Sequence, residues 1–375
     1  MNLPEPRGPI TAGLFAVLGG APGADPAALE ALDALVAVRL LTIEDVLDDD
    51  LQLALFCLYE LHYGGLAGVG DRWEWNPGLI AIRQQLEDPF EAWLRSETSQ
   101  VTASVERPDP GTADSDATAA LLFELAARDS GPSVSRHVAK KATAGQLREF
   151  LILKSFYQLK EADPHTWAIP RLAGRAKAAL VEIQADEYGG GRPDRMHSAM
   201  FAQTMRGLGL DDGYGAYLDA APAISLATVN MMSLFGLNRR LRGAIAGHLA
   251  MYEMTSSRPN QLYGNGFRRL GFDTGVTAYF DEHVEADAVH EQIAGRDLAG
   301  GLVEAEPGLL EDVLFGAAAV TCIDTRFASH VLTAWENGRS SLRAGPAGGP
   351  RTVAVPTSGS ASGSASGPAS GPASA

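Results

Sequence analysis

Cysteine is almost missing from this chain of 375 residues: Cys57 and Cys322 stand far apart, each inside an apolar run. Two such thiols exclude a disulfide framework and a clustered-cysteine zinc site. They read as buried thiols of a reducing compartment. Positive charge is scarce too, with 30 Lys and Arg against 46 Asp and Glu, a net charge of −16. Nucleic acid and anionic membrane both require basic patches, so neither is expected as a partner. No apolar run approaches the roughly 18 residues of a membrane-spanning helix. The opening stretch "MNLPEPRGPITAGLFAVLGGAPGADP" has one arginine and no clear apolar h-region, so no signal peptide is expected and the location is taken as cytoplasmic. Strand-like alternation is scarce, and no internal repeat is evident.

What remains is helix. Apolar residues make up 46% of the chain, enough for a sizeable core. Residues 1–25, rich in Pro and Gly, are expected to be irregular. From Asp25, an N-cap ahead of Pro26, apolar spacings of three and four run through an N-terminal helical extension, 26–100. Residues 101–133 read as a linker with a short helix. Residues 134–340 read as the main helical domain, with segments at 134–162, 170–189, 194–208, 211–220, 223–256, 274–298, 306–318 and 321–337. The Gly/Ser/Ala/Pro tail, 341–375, cannot bury enough apolar surface to offset its ordering entropy and is expected to be disordered. The architecture is all-α, a bundle with a helical extension.

One short stretch has chemistry in it. In "YFDEHVEADAVHEQI", His283, Asp287 and His290 fall at i, i+4 and i+7, one stripe of a helix. Imidazole nitrogen with carboxylate oxygen suits iron, manganese or zinc. The same pattern also serves as a solvated face, so it needs partners from other helices. Glu253 is a lone carboxylate in the mostly apolar "GAIAGHLAMYEMTSSRP", where a buried charge requires a metal, a cation or a proton. Glu161 in "KEADPHTWAIP", Glu187 in "VEIQADEYGGG" and His197 in "RPDRMHSAMF" complete the candidates. A lone Glu near a helix end is most often solvated or capping, and a lone His on an apolar helix is most often a core residue. Only the set is informative.

In order and spacing, Glu161, Glu187, His197, Glu253, His283, Asp287 and His290 resemble the metal ligands of the heme-oxygenase-like diiron oxidases and oxygenases. The strings "KEADPHTWAIPRL", "EIQADEYGGG", "SLFGLNRRLRGAIAGHLAMYE" and "EHVEADAVHEQI" resemble the same family, loosely called iron-containing redox enzymes. The resemblance spans roughly residues 134–330. It implies a heme-oxygenase-like bundle, two Fe ions, O2 as co-substrate, and oxidation of a small-molecule substrate such as an amine or amino acid. N-hydroxylation and oxidative C–C cleavage are the leading reactions. It also implies an external electron donor and a homodimer formed through the N-terminal helices. Within the set, His283, Asp287 and His290 are expected to share one ion with a carboxylate, His197 to take the other, and one or more glutamates to bridge.

Several neighbours are set aside. Tyr188, Tyr252 and Tyr279 adjoin ligands but are read as packing, and His165 and His248 as structural. Arg258, Arg268 and Arg269 are read as neutralising an acidic surface. Glu60 and His62, at i and i+2, point to different sides of a helix and cannot easily share an ion. Two other readings compete: a non-catalytic iron-holding or helix-association protein, and a metal-free thiaminase-like hydrolase. The second needs a nucleophilic cysteine beside a carboxylate, which neither Cys57 nor Cys322 offers.

Overall fold

Helix starts are written locally as side-chain caps. Asp25, Asp48, Asn76, Asp114, Ser133, Thr143 and Asp273 each accept a backbone N–H from the first turn they precede. Such caps satisfy donors a helix leaves open, at about 1 kcal/mol apiece. In the computed structural model, residues 1–107 and 114–344 are described, apart from the side chains at 287 and 288. The extension holds α1 (Pro9–Leu18), α2 (Pro26–Leu40), α3 (Asp49–Glu60) and α4 (Pro77–Ala103). Next come α5 (Ser115–Ala127), α6 (Val134–Lys140), α7 (Ala144–Gln158), α8 (Asp163–Thr166), α9 (Gly174–Glu187) and α10 (His197–Gly207). The chain finishes with α11 (Ala223–Leu237), α12 (Arg242–Arg269), α13 (Thr274–Gln292), α14 (Gly301–Ala305) and α15 (Leu310–Glu336). No strand occurs among the described residues, and none of their helices is long and apolar enough to cross a membrane.

The helix α12 is the axis of the bundle, packed against α13 on one side and α15 on another. Glycine sets the second of these crossings. A Cβ on Gly247 would stand 1.9 Å from the Val313 carbonyl oxygen, and one on Gly316 would stand 1.9 Å from that of Ala244. Backbone touches backbone there, so either substitution forces the helices apart. The α13 helix runs directly into a π-helical segment, Ile293–Gly300, which packs on α5, α9 and α12. Wider π turns of this kind recur at functional sites.

Several expectations are corrected. Residues 1–25 include α1, whose Ile10, Leu14, Val17 and Leu18 are buried. Its start is held from a distance: the Asp50 carboxylate accepts from the Ile10 and Thr11 amides at 2.8 Å. The Gly and Pro that suggest irregularity mark only its ends. The 211–220 segment holds just a 3-10 turn, Leu218–Ala220, since Gly213 and Gly215 interrupt it. The 223–256 segment is two helices, broken at Asn238, and the second continues through Pro259 to Arg269. The 134–162 segment breaks at residues 141–143, and α15 is one helix rather than two. Of the tail, residues 345–375 lie outside the described residues. Ser341 is instead buried, its amide and hydroxyl donating to Glu149 at 2.8 and 2.7 Å.

The extension shares one core with the rest: the buried apolar cluster runs from Ile10 to Trp335. The α3 helix packs on α11, and Glu60 at its end forms a buried ion pair with Lys160 while accepting from the Tyr214 hydroxyl at 2.6 Å. The Lys160 ammonium also lies 4.0 Å over the Tyr63 ring. The extension is thereby tied to the residue immediately before Glu161.

Candidate metal centre

Six of the seven sequence candidates meet inside the bundle. Glu161 follows α7, Glu187 closes α9, His197 opens α10, Glu253 lies in α12, and His283 and His290 lie on α13. Their relative exposure runs from 1% to 8%, so water cannot carry their charge. The Asp287 side chain lies outside the described residues, although its backbone belongs to α13.

The six form two overlapping sets. Glu161, Glu187, His197 and His283 offer one donor atom each within 4.8 Å of one another, and so do Glu187, Glu253 and His290. Donors bound at about 2.1 Å to a common ion lie at most about 4.2 Å apart, so little closure is needed. Glu187 belongs to both sets. His283 and His290 fall in different sets, unlike the expectation that they share one ion. Residues at i and i+7 are about 10.5 Å apart along a helix axis, which accords with their separation into two sets.

Three of the donor atoms also lack other employment. Glu187 Oε2, His197 Nδ1 and His290 Nδ1 are buried with no hydrogen-bond partner among the described residues. The first two are 2.9 Å apart but off the line of a hydrogen bond. His290 Nδ1 stands 3.5 Å from Glu253 Oε2, and a His283 nitrogen, Nε2, stands 3.5 Å from Glu161 Oε1. Native interiors rarely leave atoms like Glu187 Oε2, His197 Nδ1 and His290 Nδ1 unpaired, and an ion among them would satisfy them. The donor set, carboxylate oxygen with imidazole nitrogen, fits iron.

Neighbouring groups aim the donors. His283 Nδ1 donates to the Tyr279 carbonyl at 2.8 Å, which turns Nε2 toward the carboxylates. The Tyr279 hydroxyl donates to both oxygens of Glu161, at 2.8 and 2.9 Å. Packing alone therefore understates Tyr279. His290 Nε2 meets Asp186 Oδ2 at 3.0 Å, leaving Nδ1 for the centre. Ala162, just after Glu161, is the one non-glycine among the described residues with positive φ, at 75°. Gln184 holds that turn by donating to the Ala162 carbonyl at 2.9 Å. Such strain persists only where surroundings over-determine it, and here it re-aims the chain at a candidate ligand.

Protonation follows from the same contacts. Burial opposes the Glu161 charge, but His283, His197 and the Tyr279 hydroxyl together hold its carboxyl below the usual range. Burial and the Glu187 charge push Glu253 up, against the pull of His290. Burial disfavours protonated His290, yet Glu253 and Asp186 outweigh it and lift the imidazole to about 9. His197 is raised in the same way, burial being overcome by Glu187. The centre is prepared for positive charge.

The neighbours set aside fall elsewhere. The other candidate pair separates: Glu60 takes Lys160, and His62 Nε2 takes Arg83 at 2.6 Å. Arg268 pairs with Asp281, and Arg269 donates to the carbonyls of Val138 and Ala142. Tyr188 donates to Asp163 at 2.8 Å. His165 Nε2 lies 3.1 Å from His248 Nδ1. Burial pushes the Cys57 thiol far up and the Cys322 thiol up as well, and neither lines the cavity beside the centre. A nucleophilic thiol is thereby removed from the reading.

Residues 148–323 match the model of a family described as iron-containing redox enzymes. This segment is similar to that family. It contains all seven candidate positions, and the all-α bundle accords with the heme-oxygenase-like fold. A curated relative, a nitrosourea synthase of Streptomyces achromogenes subsp. streptozoticus, is 28% identical over 159 residues, which are 42% of this chain and 34% of that protein. The chain thus aligns with about a third of that relative's length.

Proposed function

We propose that the protein is a non-heme diiron oxidase or oxygenase that uses O2 to oxidise a small molecule, an amine or amino acid. The observation that supports this most directly is the sharing of Glu187 between two buried donor sets. Sharing is what a pair of adjacent ions requires, and a single structural ion does not. Glu161, Glu187, Glu253, His197, His283 and His290 would hold the metals, with Asp287 as the seventh ligand. Four carboxylates offset the charge of two Fe(II). When bound, the iron pair supplies the electrons that reduce O2.

The rest falls to side chains. Glu161, Glu187, Glu253 and His283 line a cavity of about 160 Å³, so a molecule held there lies against the metals. Tyr279 fixes the angle of Glu161, and Asp186 fixes the imidazole of His290. The deep setting limits water at the reacting atoms, which strengthens each electrostatic contact.

The test is anaerobic Fe(II) loading, iron counting, and O2 uptake against a panel of amines and amino acids. Two irons per chain with substrate-dependent O2 uptake are expected. One iron or none would overturn the diiron reading. Two irons without uptake on any substrate would favour a protein that holds iron without catalysis.

A further inference from the structure

The cavity beside the metal centre has a second polar wall that the proposed chemistry leaves unused. Its volume of about 160 Å³ has room for a molecule of on the order of ten non-hydrogen atoms. Besides the candidate ligands, it is lined by Lys154 of α7, Tyr252 and Tyr263 of α12, and Asp324 of α15. Asp324 sits half-buried on this wall, in the otherwise mostly apolar stretch "AAAVTCIDTRFA". It makes no hydrogen bond or ion pair among the described residues. Lys154 is near enough to act on it electrostatically, yet the ammonium sits 4.8 Å over the Phe327 ring rather than against the carboxylate. An acid and a base thus stand side by side on one cavity wall without neutralising each other by contact.

Burial pushes the Asp324 carboxyl up, with Lys154 opposing and Asp129 adding to the rise. Burial also raises the Tyr252 phenol, and both Asp324 and Glu161 act on it, so Tyr252 lies within electrostatic reach of each end of the cavity. A half-buried carboxylate with no contact partner on a cavity wall is a natural receiver for a cationic group. Glu161, Glu187 and Glu253 belong to the two donor sets, and Asp324 belongs to neither.

We propose that Asp324 and Lys154 are the specificity residues of this cavity, receiving the ammonium and the carboxylate of a small zwitterionic substrate, a free α-amino acid. The charged head is held at this wall, and the side chain extends past Tyr252 toward the metal centre. This assignment rests on the reading of the centre as the place of oxidation. It adds which end of the substrate is bound where, and it makes the side chain rather than the α-amino group the part that is oxidised.

A matched set of probes tests it: L-norleucine, n-hexanoate, which lacks the amine, and n-pentylamine, which lacks the carboxylate. Binding is measured calorimetrically on the Fe(II)-loaded protein without O2. Norleucine should bind at least tenfold more tightly than either truncated probe. Asp324→Asn should abolish the advantage of norleucine over hexanoate, leaving the advantage over pentylamine. Lys154→Met should do the reverse. Asp324→Glu, which keeps the charge, should retain the preference for the amine, and it serves if the asparagine variant fails to fold. Equal binding of norleucine and hexanoate to the unaltered protein, no binding of any probe, or an unchanged preference in Asp324→Asn would overturn the proposal. Iron content and O2 uptake of the same samples separate the two readings. Norleucine binding with fewer than two irons sinks the diiron function and leaves this wall standing. Two irons with no head-group preference sinks this assignment alone.

Discussion

Two groups of buried histidines lie in the same part of the bundle, and they have opposite characters. His197, His283 and His290 are each within 3.5 Å of a carboxylate oxygen. His165 and His248 face each other at 3.1 Å, surrounded by the rings of Tyr157, Phe235 and Tyr252. Burial acts against the charged imidazole in both groups. At His197 and His290, anionic neighbours overcome it, lifting His290 to about 9. In the second, nothing overcomes it, and His165 is pushed down to about 4. Burial alone makes a histidine neutral and structural. Burial among carboxylates makes a place for a cation.

The strongest way to break this contrast is to remove the shared carboxylate. Glu187→Ala takes a donor from both sets, so iron should fall from two per chain toward none. Glu253→Ala and His290→Ala each touch one set and should leave about one iron. His248→Leu lies outside both sets and should leave two. Colorimetric iron counting on each variant, with circular dichroism to check helix content, reads the result. Loss of iron in His248→Leu equal to that in Glu187→Ala would erase the distinction.

That ranking also marks how much was legible in the sequence. The spacing of His283 and His290 was readable because a helix fixes its own angles. The division of the stripe between two sets was not, since it depends on where α9 and α12 place Glu187 and Glu253. Glu253 was readable as a lone carboxylate in an apolar helix. Asp324 meets the same criterion, but only the cavity shows what it faces. The break at Asn238 and the continuation through Pro259 are not legible, because local propensity yields to packing when a helix is buried on several sides. The first helix is hidden for a related reason: its start is capped by Asp50, a residue from another helix.

Acid and base should pull the two histidine groups apart in the metal-free protein. His290 gains a proton affinity on folding, so its stabilisation is complete below about 6.5, its unfolded value, and is lost as pH rises through about 9. His165 loses proton affinity, so its neutral form is favourable above about 6.5, and stability falls as pH drops from there toward about 4. The second effect is on the order of 3 kcal/mol at full extent. Thermal unfolding of chelator-stripped protein across pH 4 to 10 should show both flanks. His290→Ala should flatten the alkaline one, and His248→Leu should reduce the acid one. An acid flank unchanged in His248→Leu would mean that other groups carry it.

The smallest expected effect tests how finely the first group is tuned. Tyr279→Phe removes one hydroxyl, leaving the ring to pack against Phe201 and His283. The hydroxyl donates to both Glu161 oxygens, and a hydrogen bond to a charged group contributes about 1.5–3 kcal/mol. Without it the carboxylate has more freedom to rotate, and its set should bind Fe(II) roughly 10- to 100-fold more weakly, as when an outer partner of a ligand is removed. Glu161 does not belong to the set of Glu187, Glu253 and His290, so that set should keep its affinity. Titration with Fe(II) should therefore change from two similar steps to one tight and one weak step. Equal weakening of both steps would mean that Tyr279 supports the bundle as a whole, and the two donor sets would then be coupled more tightly than their one shared carboxylate implies.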